Sequence, residues 1–277
     1  MLLGLAYRLL GSMWDAEDAV QEAYLRWTRT DRGEVREPRA FLVTVVSRLA
    51  LDQLRSARAT REAYVGPWLP EPVDTAGLGP LDSAELRDTV SYATLHLMEQ
   101  LTPPERAAFV LREAFELPYE EIAGIVGGTA ANCRQLHHRA AVRLAAARGD
   151  RFRPSAEDHA LLLERFLDAA RSGDLDALTG MLSQDVVAWN DGGGRTRAAL
   201  HPIAGRDHVV AFVLGLVRRY SFHGARITEA NGQPALRLSV DGRGGVDTVT
   251  LLDVRGGLVH GIYAVLNPDK LTRLPGS

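Results

Sequence analysis

Between Leu117 and Leu144 the chain reads LPYEEIAGIVGGTAANCRQLHHRAAVRL, two short amphipathic segments on either side of Gly127-Gly128. Tyr119, Ile122, Ala123 and Val126 recur with the 3.6-residue helical period and give the first segment one apolar face. The glycines end that helix, and Thr129 can open the next by accepting a backbone N–H bond. In the second segment Cys133, Leu136, Ala140 and Leu144 share one side, while Asn132, Arg134, Gln135, His138 and Arg139 lie on or flank the other. The stretch is a helix-turn-helix whose second helix carries a basic, amide-bearing face. Arg and Gln offer the donors that phosphates and major-groove base edges accept, so these five residues are candidate DNA contacts. A helical hairpin with a merely solvated polar side is the alternative from this stretch alone.

Composition narrows the setting. A net charge of −3 and a pI near 6.3 exclude a chain that is basic throughout, so nucleic-acid binding has to come from local patches. One such patch follows the turn: Arg134, Arg139, Arg143, Arg148, Arg151 and Arg153 stand against a single acid, Asp150. The 277 residues, 46% of them hydrophobic, suffice for two or three small cores. Cys133 is the only cysteine, which rules out an intrachain disulfide, and its place on the apolar side reads as packing. MLLGLAYRLLGS lacks a basic leader, a cleavage signal and the roughly 20 apolar residues of a membrane span. A cytoplasmic protein is expected. Lys270 is the only lysine. Metal-ligand clusters, phosphate loops and nucleophile elbows are absent from the sequence, so no cofactor is expected.

Upstream, a helix ends at Gly11-Ser12 and a second begins near Asp15, with Asp15, Glu17 and Asp18 on its first turn. Ala19, Val20, Ala23 and Trp27 form its apolar stripe, leaving Asp15, Asp18, Gln21, Glu22 and Arg26 outside as a solvated or docking face. Pro38 suits the first turn of a long helix to about Arg58, expected to bury Phe41, Leu42, Val45, Val46 and Leu49. Thr44, Arg48, Asp52, Arg55 and Arg58 fall in one arc of that helix. Asp52 can bridge Arg48 and Arg55, yet the arc stays positive enough for phosphates or an unstacked strand. Pro67, Pro70, Pro72 and Pro80 then forbid a continuing helix. Trp68 and Leu69 are too apolar for a spacer, so WLPEP is expected to dock. A helix from Leu81 to about Leu101 and another capped by Thr102 lead into the helix-turn-helix.

The succession of DAEDAVQEAYLRW, PRAFLVTVVSRLALDQLRSAR, a proline-rich linker and LTPPERAAFVLREAFELPYEEIAGIVGG resembles the two domains of a bacterial extracytoplasmic-function sigma factor. The resemblance implies region 2 at 1–66, a linker at 67–84 and region 4 at 85–150. It further implies that the first domain docks on the beta and beta-prime subunits of core RNA polymerase and opens the minus-ten element. Region 4 would read the minus-thirty-five element. By position, Asp15, Asp18, Gln21, Glu22 and Trp27 correspond to the polymerase-binding segment, Arg48, Asp52, Arg55 and Arg58 to the minus-ten side, and Asn132, Arg134, Gln135, His138 and Arg139 to the minus-thirty-five helix. The family has a further amphipathic stretch before the position of GLAYRLLGS, which implies a translation start upstream or a shortened first helix.

Residues 151–277 exceed the usual family length. A helix, a Gly173-Asp174 turn, a short helix and a strand precede a third helix, and strands follow at about 224–230, 234–240, 246–253 and 258–265. This order predicts an α+β domain with an antiparallel sheet on helices. It resembles a cone-shaped SnoaL-like domain of the NTF2-like superfamily. Sigma factors with such an extension carry WLPEP, DGGGK-like and NPDKL signatures, matched here by 68–72, 191–195 and 267–271, with Arg195 where Lys is more usual. The resemblance implies regulation in cis, through Trp68, Leu69, Pro70, Asp191, Gly192, Gly193, Gly194, Asn267, Pro268, Asp269 and Lys270, with the NPDKL segment latched beside WLPEP. A small-ligand pocket is a further reading of this domain, and Trp189, Asn190, Asp191, His201 and His208 suggest a proton-transfer site as another. For the whole chain the alternatives are a ligand-responsive helix-turn-helix repressor or activator and an enzymatic C-terminal domain.

Overall fold

A computed structural model of the chain describes residues 1–31, 33, 35–74, 91–148, 155–240, 246–272 and 274. Arg151, Arg153, residues 81–90 of the expected helix and the 241–245 turn lie outside them. The described residues divide into two bodies, 1–63 with 94–148, and 64–74 with 91–93 and 155–274.

The first body is helical. α1 (Leu2–Leu10) is apolar almost all round and is correspondingly buried on nearly every side. Gly11, at φ 71°, ends it in the left-handed conformation that glycine adopts without a Cβ clash. Ser12 then caps α2 (Met13–Arg29), its hydroxyl accepting from the Asp15 N–H at 3.3 Å. α3 (Pro38–Glu62) packs against α1 and α2 on one side and against later helices on another. Its buried line is therefore Val43, Val46, Ala50, Leu51 and Leu54, with Phe41, Leu42, Val45 and Leu49 only half-buried. The expected single stripe was rotated, because a helix packed on two sides has no single apolar face.

α4 (Tyr92–Met98), α5 (Pro103–Glu113), α6 (Tyr119–Val126) and α7 (Ala130–Arg148) follow. The Thr102 N–H donates to Glu105 Oε2 at 3.1 Å, part of a capping box that starts α5. Between α6 and α7, Gly127 holds φ 85° and Thr129 Oγ1 accepts from the Asn132 N–H at 3.2 Å. Cys133, Leu136, Ala140 and Leu144 are all buried, as the spacing required.

In the second body α8 (Ala156–Ser172), α9 (Leu175–Met181) and α10 (Arg206–Arg219) cover one face of a six-stranded sheet. Its strands are β1 (Leu182–Asp191), β2 (Ile203–Ala204), β3 (Phe222–Ala230), β4 (Gln233–Val240), β5 (Val246–Arg255) and β6 (Leu258–Val265), in the order β2-β1-β6-β5-β4-β3. The sheet is mixed, not antiparallel throughout: β1 runs parallel to β6, with Trp189 beside Tyr263 and Asn190 beside Ala264. Alternation along each strand sorts its residues between two environments. Ala188, Leu236, Leu238 and Ile262 join the helix-covered core with Leu163 and Phe166. Trp189, Ala235, Val249, Leu251, Tyr263 and Val265 face the other way, where Leu69, Tyr92, Leu271 and Leu274 cover them.

The proline-rich segment is thus part of a hydrophobic core. Leu69 is fully buried, and Val73 and Asn231 exchange two bonds, Val73 N–H to Asn231 Oδ1 at 3.1 Å and Asn231 N–H to Val73 O at 2.8 Å. Tyr64–Gly66, which the sequence assigned to the first domain, pack with this body as well. Leu69→Ala should destabilise it by about 2–5 kcal/mol through lost burial and a cavity, read as a lower midpoint of its denaturant unfolding.

Candidate nucleic-acid interface and linker clasp

On α7 the buried stripe fixes which side faces out, and Asn132, Arg134, Gln135, His138 and Arg139 are all exposed. Arg134 lies 3.3 Å from Glu120 and 5.4 Å above the centre of the Tyr119 ring. Exposed pairs of this kind are weak, on the order of 0–1 kcal/mol, so Arg134 can exchange Glu120 for a phosphate at little loss. Arg139 and Arg143 reach the two carboxylate oxygens of Glu105 at 3.0 and 2.8 Å. Burial alone would raise the Glu105 pKa; hydrogen bonds from Arg139 and Thr102 and the Arg143 charge outweigh it, and the net shift is downward. These bonds pin the start of α5 to the middle of α7.

The α3 arc is arranged differently from the expectation. Asp52 pairs with Arg55 at 3.2 Å, but Arg48 turns to the helix-turn-helix and donates from Nη2 to the Gly124 carbonyl of α6 at 2.8 Å. A guanidinium reaching a main-chain carbonyl on a neighbouring helix leaves the Asp52 bridge half made. Arg58 lies on α3, its side chain outside the described set.

Along α2, Asp15, Asp18 and Gln21 are exposed and Glu22 pairs with Arg26 at 2.9 Å. Trp27 is half-buried against Phe41, ring centres 5.7 Å apart, so it supports the helix more than it presents a surface. The sequence reading missed Trp14, Tyr24 and Leu25, which are 56%, 63% and 41% exposed. Trp14, Asp18, Gln21 and Leu25 follow one another at four-, three- and four-residue steps, a spacing that could have revealed this apolar-acidic stripe.

In the second body the bonds converge on one carboxylate. Asp191 is the last residue of β1 and fully buried. Its Oδ1 accepts from the Tyr64 hydroxyl at 2.6 Å, and its Oδ2 from the Leu69 N–H at 2.8 Å and Lys270 Nζ at 2.7 Å. Lys270 also donates to the Leu69 carbonyl and sits over the rings of Trp68 and Tyr64, 4.0 and 5.0 Å from their centres. Asn267 Nδ2 donates to the Tyr64 oxygen at 2.9 Å, while the Leu266 and Asn267 N–H groups bond the Asp191 main-chain carbonyl at 2.8 and 2.9 Å. Burial, followed by the hydrogen bond to Asp191, pushes the Tyr64 phenol well above its ordinary range. Pro70 enters through its carbonyl, which accepts from the Tyr92 hydroxyl at 2.6 Å. Neither Tyr64 nor Tyr92 was singled out from sequence.

The glycines make room for this closure. A Cβ on Gly193, already at φ 57°, would fall 2.3 Å from Asn267 Nδ2 and 2.7 Å from the Tyr64 hydroxyl, and one on Gly192 would meet the Thr196 carbonyl at 2.2 Å. Gly194, at φ 70°, backs onto Val65. Pro268 opens the short 3-10 turn that presents Lys270. Asp269 is peripheral, paired at 3.3 Å with Arg195, both well exposed. The residues that suggested proton transfer do not assemble: Trp189 and Asp191 face the linker, Asn190 faces the other side of the sheet, His201 is exposed, and His208 lies 3.0 Å from the Ala204 carbonyl.

Comparison with known proteins agrees with this division. The sigma-70 region 2 model matches residues 1–60 and the sigma-70 region 4 model residues 92–144. The ECF RNA polymerase sigma factor SigJ of Mycobacterium tuberculosis is 39% identical, over 99% of this chain and 91% of its own length. The chain belongs to the ECF RNA polymerase sigma factors. The probable ECF sigma factor SigI of the same organism is 34% identical over 99% of this chain and 92% of its own. The crystal structure of SigJ superposes with a TM-score of 0.81 at 36% identity, covering 99% of this sigma factor and 95% of SigJ. The protein is a promoter-specific transcription initiation factor with two helical sigma domains and a fused α+β domain. Among the described residues, no helix is long and apolar enough to cross a membrane.

Lys270→Met leaves Asp191 buried without its cation and should destabilise the C-terminal domain by about 3–5 kcal/mol. Adding Asp191→Asn should recover much of that loss. Denaturant unfolding of the single and double variants measures both.

Proposed function

We propose that this sigma factor regulates its own promoter access through the clasp, the C-terminal domain holding or releasing the segment that joins the two sigma domains. The observation that carries the reading is that both ends of this segment are bound within one body. Tyr64 is bonded to Asp191, while Tyr92 is bonded to Pro70 and packed on Tyr263 at 5.5 Å. While the clasp is closed, the segment cannot extend.

Extension matters because of the distance the sigma domains must cover. Elements at minus ten and minus thirty-five lie roughly 25 base pairs apart, on the order of 80 Å at about 3.4 Å per step. The Arg48 bond to Gly124 keeps the expected minus-ten arc within hydrogen-bonding range of the first helix of the helix-turn-helix. That arrangement suits a resting state. Engagement of both elements requires the Arg48 contact to break and the segment between residues 63 and 94 to pay out, a stretch of some thirty residues able to span up to about 100 Å when extended.

In the open state Asn132, Arg134, Gln135, His138 and Arg139 would read the upstream element, Arg48, Asp52, Arg55 and Arg58 would line the downstream one, and Asp15, Asp18, Gln21 and Glu22 would meet core polymerase. The exposed Trp14, Tyr24 and Leu25 extend that last surface with apolar area suited to a protein partner. Gln135→Ala should weaken promoter binding by about 1–3 kcal/mol and relax the preference at one base position. Arg134→Ala should weaken all sequences alike and flatten the salt dependence.

The regulatory reading is tested by single-round transcription with core polymerase, comparing the full chain with Lys270→Met, Tyr64→Phe and Gly193→Ala. Several-fold higher initiation in the clasp variants supports it. Initiation equal to the unaltered chain in all three, each verified as folded, counts against it.

A further inference from the structure

Behind the clasp, on the helix-covered side of the sheet, lies a cavity of about 460 Å³ bounded by α8, α10 and strands β1, β3, β4, β5 and β6. Phe166, Phe212, Leu236 and Leu238 make its walls apolar. Two features set it apart from an ordinary packing void. Asn190 and Thr248 both line it, both are more than nine-tenths buried, and neither Asn190 Nδ2 nor Thr248 Oγ1 has a hydrogen-bond partner among the described residues. Buried amide and hydroxyl groups without partners are unfavourable, so a site that keeps them is built to receive an acceptor. Ala264, between Asn190 and Thr250 across three neighbouring strands, leaves space above that polar row.

Among the described residues, the charged ones that line it are all of one sign. Arg171, Arg197 and Arg219 contribute to the cavity wall and are exposed, as residues at an opening would be. Among the described residues no carboxylate and no imidazole lines it, so they offer neither an acid–base pair nor a counter-charge to the arginines. The volume falls in the range of small-molecule sites, roughly 300–1,000 Å³.

We infer that this cavity binds an apolar organic anion, a long-chain or fused-ring carboxylate. Its hydrocarbon body fills the Phe and Leu walls, its carboxylate meets the arginines, and an oxygen or other acceptor on the body takes the Asn190 amide and Thr248 hydroxyl. Asn190 immediately precedes Asp191 on β1, one side chain turned to the cavity and the next to the linker. The inference concerns binding alone, is measured without polymerase, and stands apart from the regulatory reading.

The test is displacement of a fluorescent polyene fatty acid from the purified full chain by hydroxydodecanoate, dodecanoate and dodecanol. Saturable displacement is expected, with the hydroxy acid tighter than dodecanoate and either acid at least tenfold tighter than the alcohol. Arg197→Gln with Arg219→Gln should abolish the preference for acids. Leu238→Trp should fill the cavity and remove binding. Because that substitution can also unfold the domain, Asn190→Leu is the second variant: it should hold or raise the thermal midpoint, since an unpartnered buried amide is gone, and reduce the advantage of the hydroxy acid. Absence of saturable binding to the unaltered chain, equal affinity for acid and alcohol, or unaltered binding by both Leu238→Trp and Asn190→Leu would overturn the assignment.

Discussion

A carboxylate taken wholly out of water must be surrounded by donors, and Asp191 recruits its donors from segments far apart in the chain: Tyr64, Leu69 and Lys270. A buried ion pair contributes little net stability compared with well-packed apolar residues, but half of one is strongly unfavourable. The clasp therefore behaves as a unit. Removing any one segment strands charge or polar groups that the others were arranged to satisfy, and partial release is less favourable than either full closure or full opening. Such a contact suits a switch better than graded apolar packing would.

The sheet joins that contact to the rest of the domain. Its strands present one set of side chains to the helices and the alternate set to the linker, and neighbours in sequence can thus report on different environments. Trp189 stacks on Tyr263 at 5.0 Å on the linker side, while Ala188 and Asn190 belong to the other. The parallel β1–β6 pairing brings Asp191 beside Val265, from which the chain runs directly into Asn267 and Lys270. Proximity of the DGGGR and NPDKL segments is a consequence of strand register.

The helical domains were legible because their cores rest on local periodicity and capping. Gly11-Ser12, Thr102 with Glu105, and Gly127 through Thr129 end and start helices where the residues themselves demand it. The exposed face of α7 followed from its buried one. The four C-terminal strands were close to their observed limits, since turn residues punctuate them. What could not be read were relations between distant positions. Nothing local distinguishes a strand that will pair in parallel with one some seventy residues later, and nothing marked Tyr64 as a partner of Asp191, 127 residues away. The Arg48–Asp52 bridge did not form for the same reason: an acid one helical turn ahead made it plausible, and the Gly124 carbonyl 76 residues away took the bond. The burial of Asp191 was equally out of reach, since the strand runs through the aspartate and the glycines follow only beyond it.

The scarcity of lysine gives the clasp one more property. Lys270 is the only lysine in the chain, and its ammonium is held between a carboxylate, a carbonyl and two aromatic rings. Apart from the chain terminus, every primary amine of this protein is therefore at the point where the linker is gripped. Amine chemistry, whether acetyl transfer by an enzyme or acylation by a reagent, meets a shielded nitrogen while the linker is docked and an accessible one once it leaves. The rate at which that single nitrogen is modified is a direct reading of how much of the population is open.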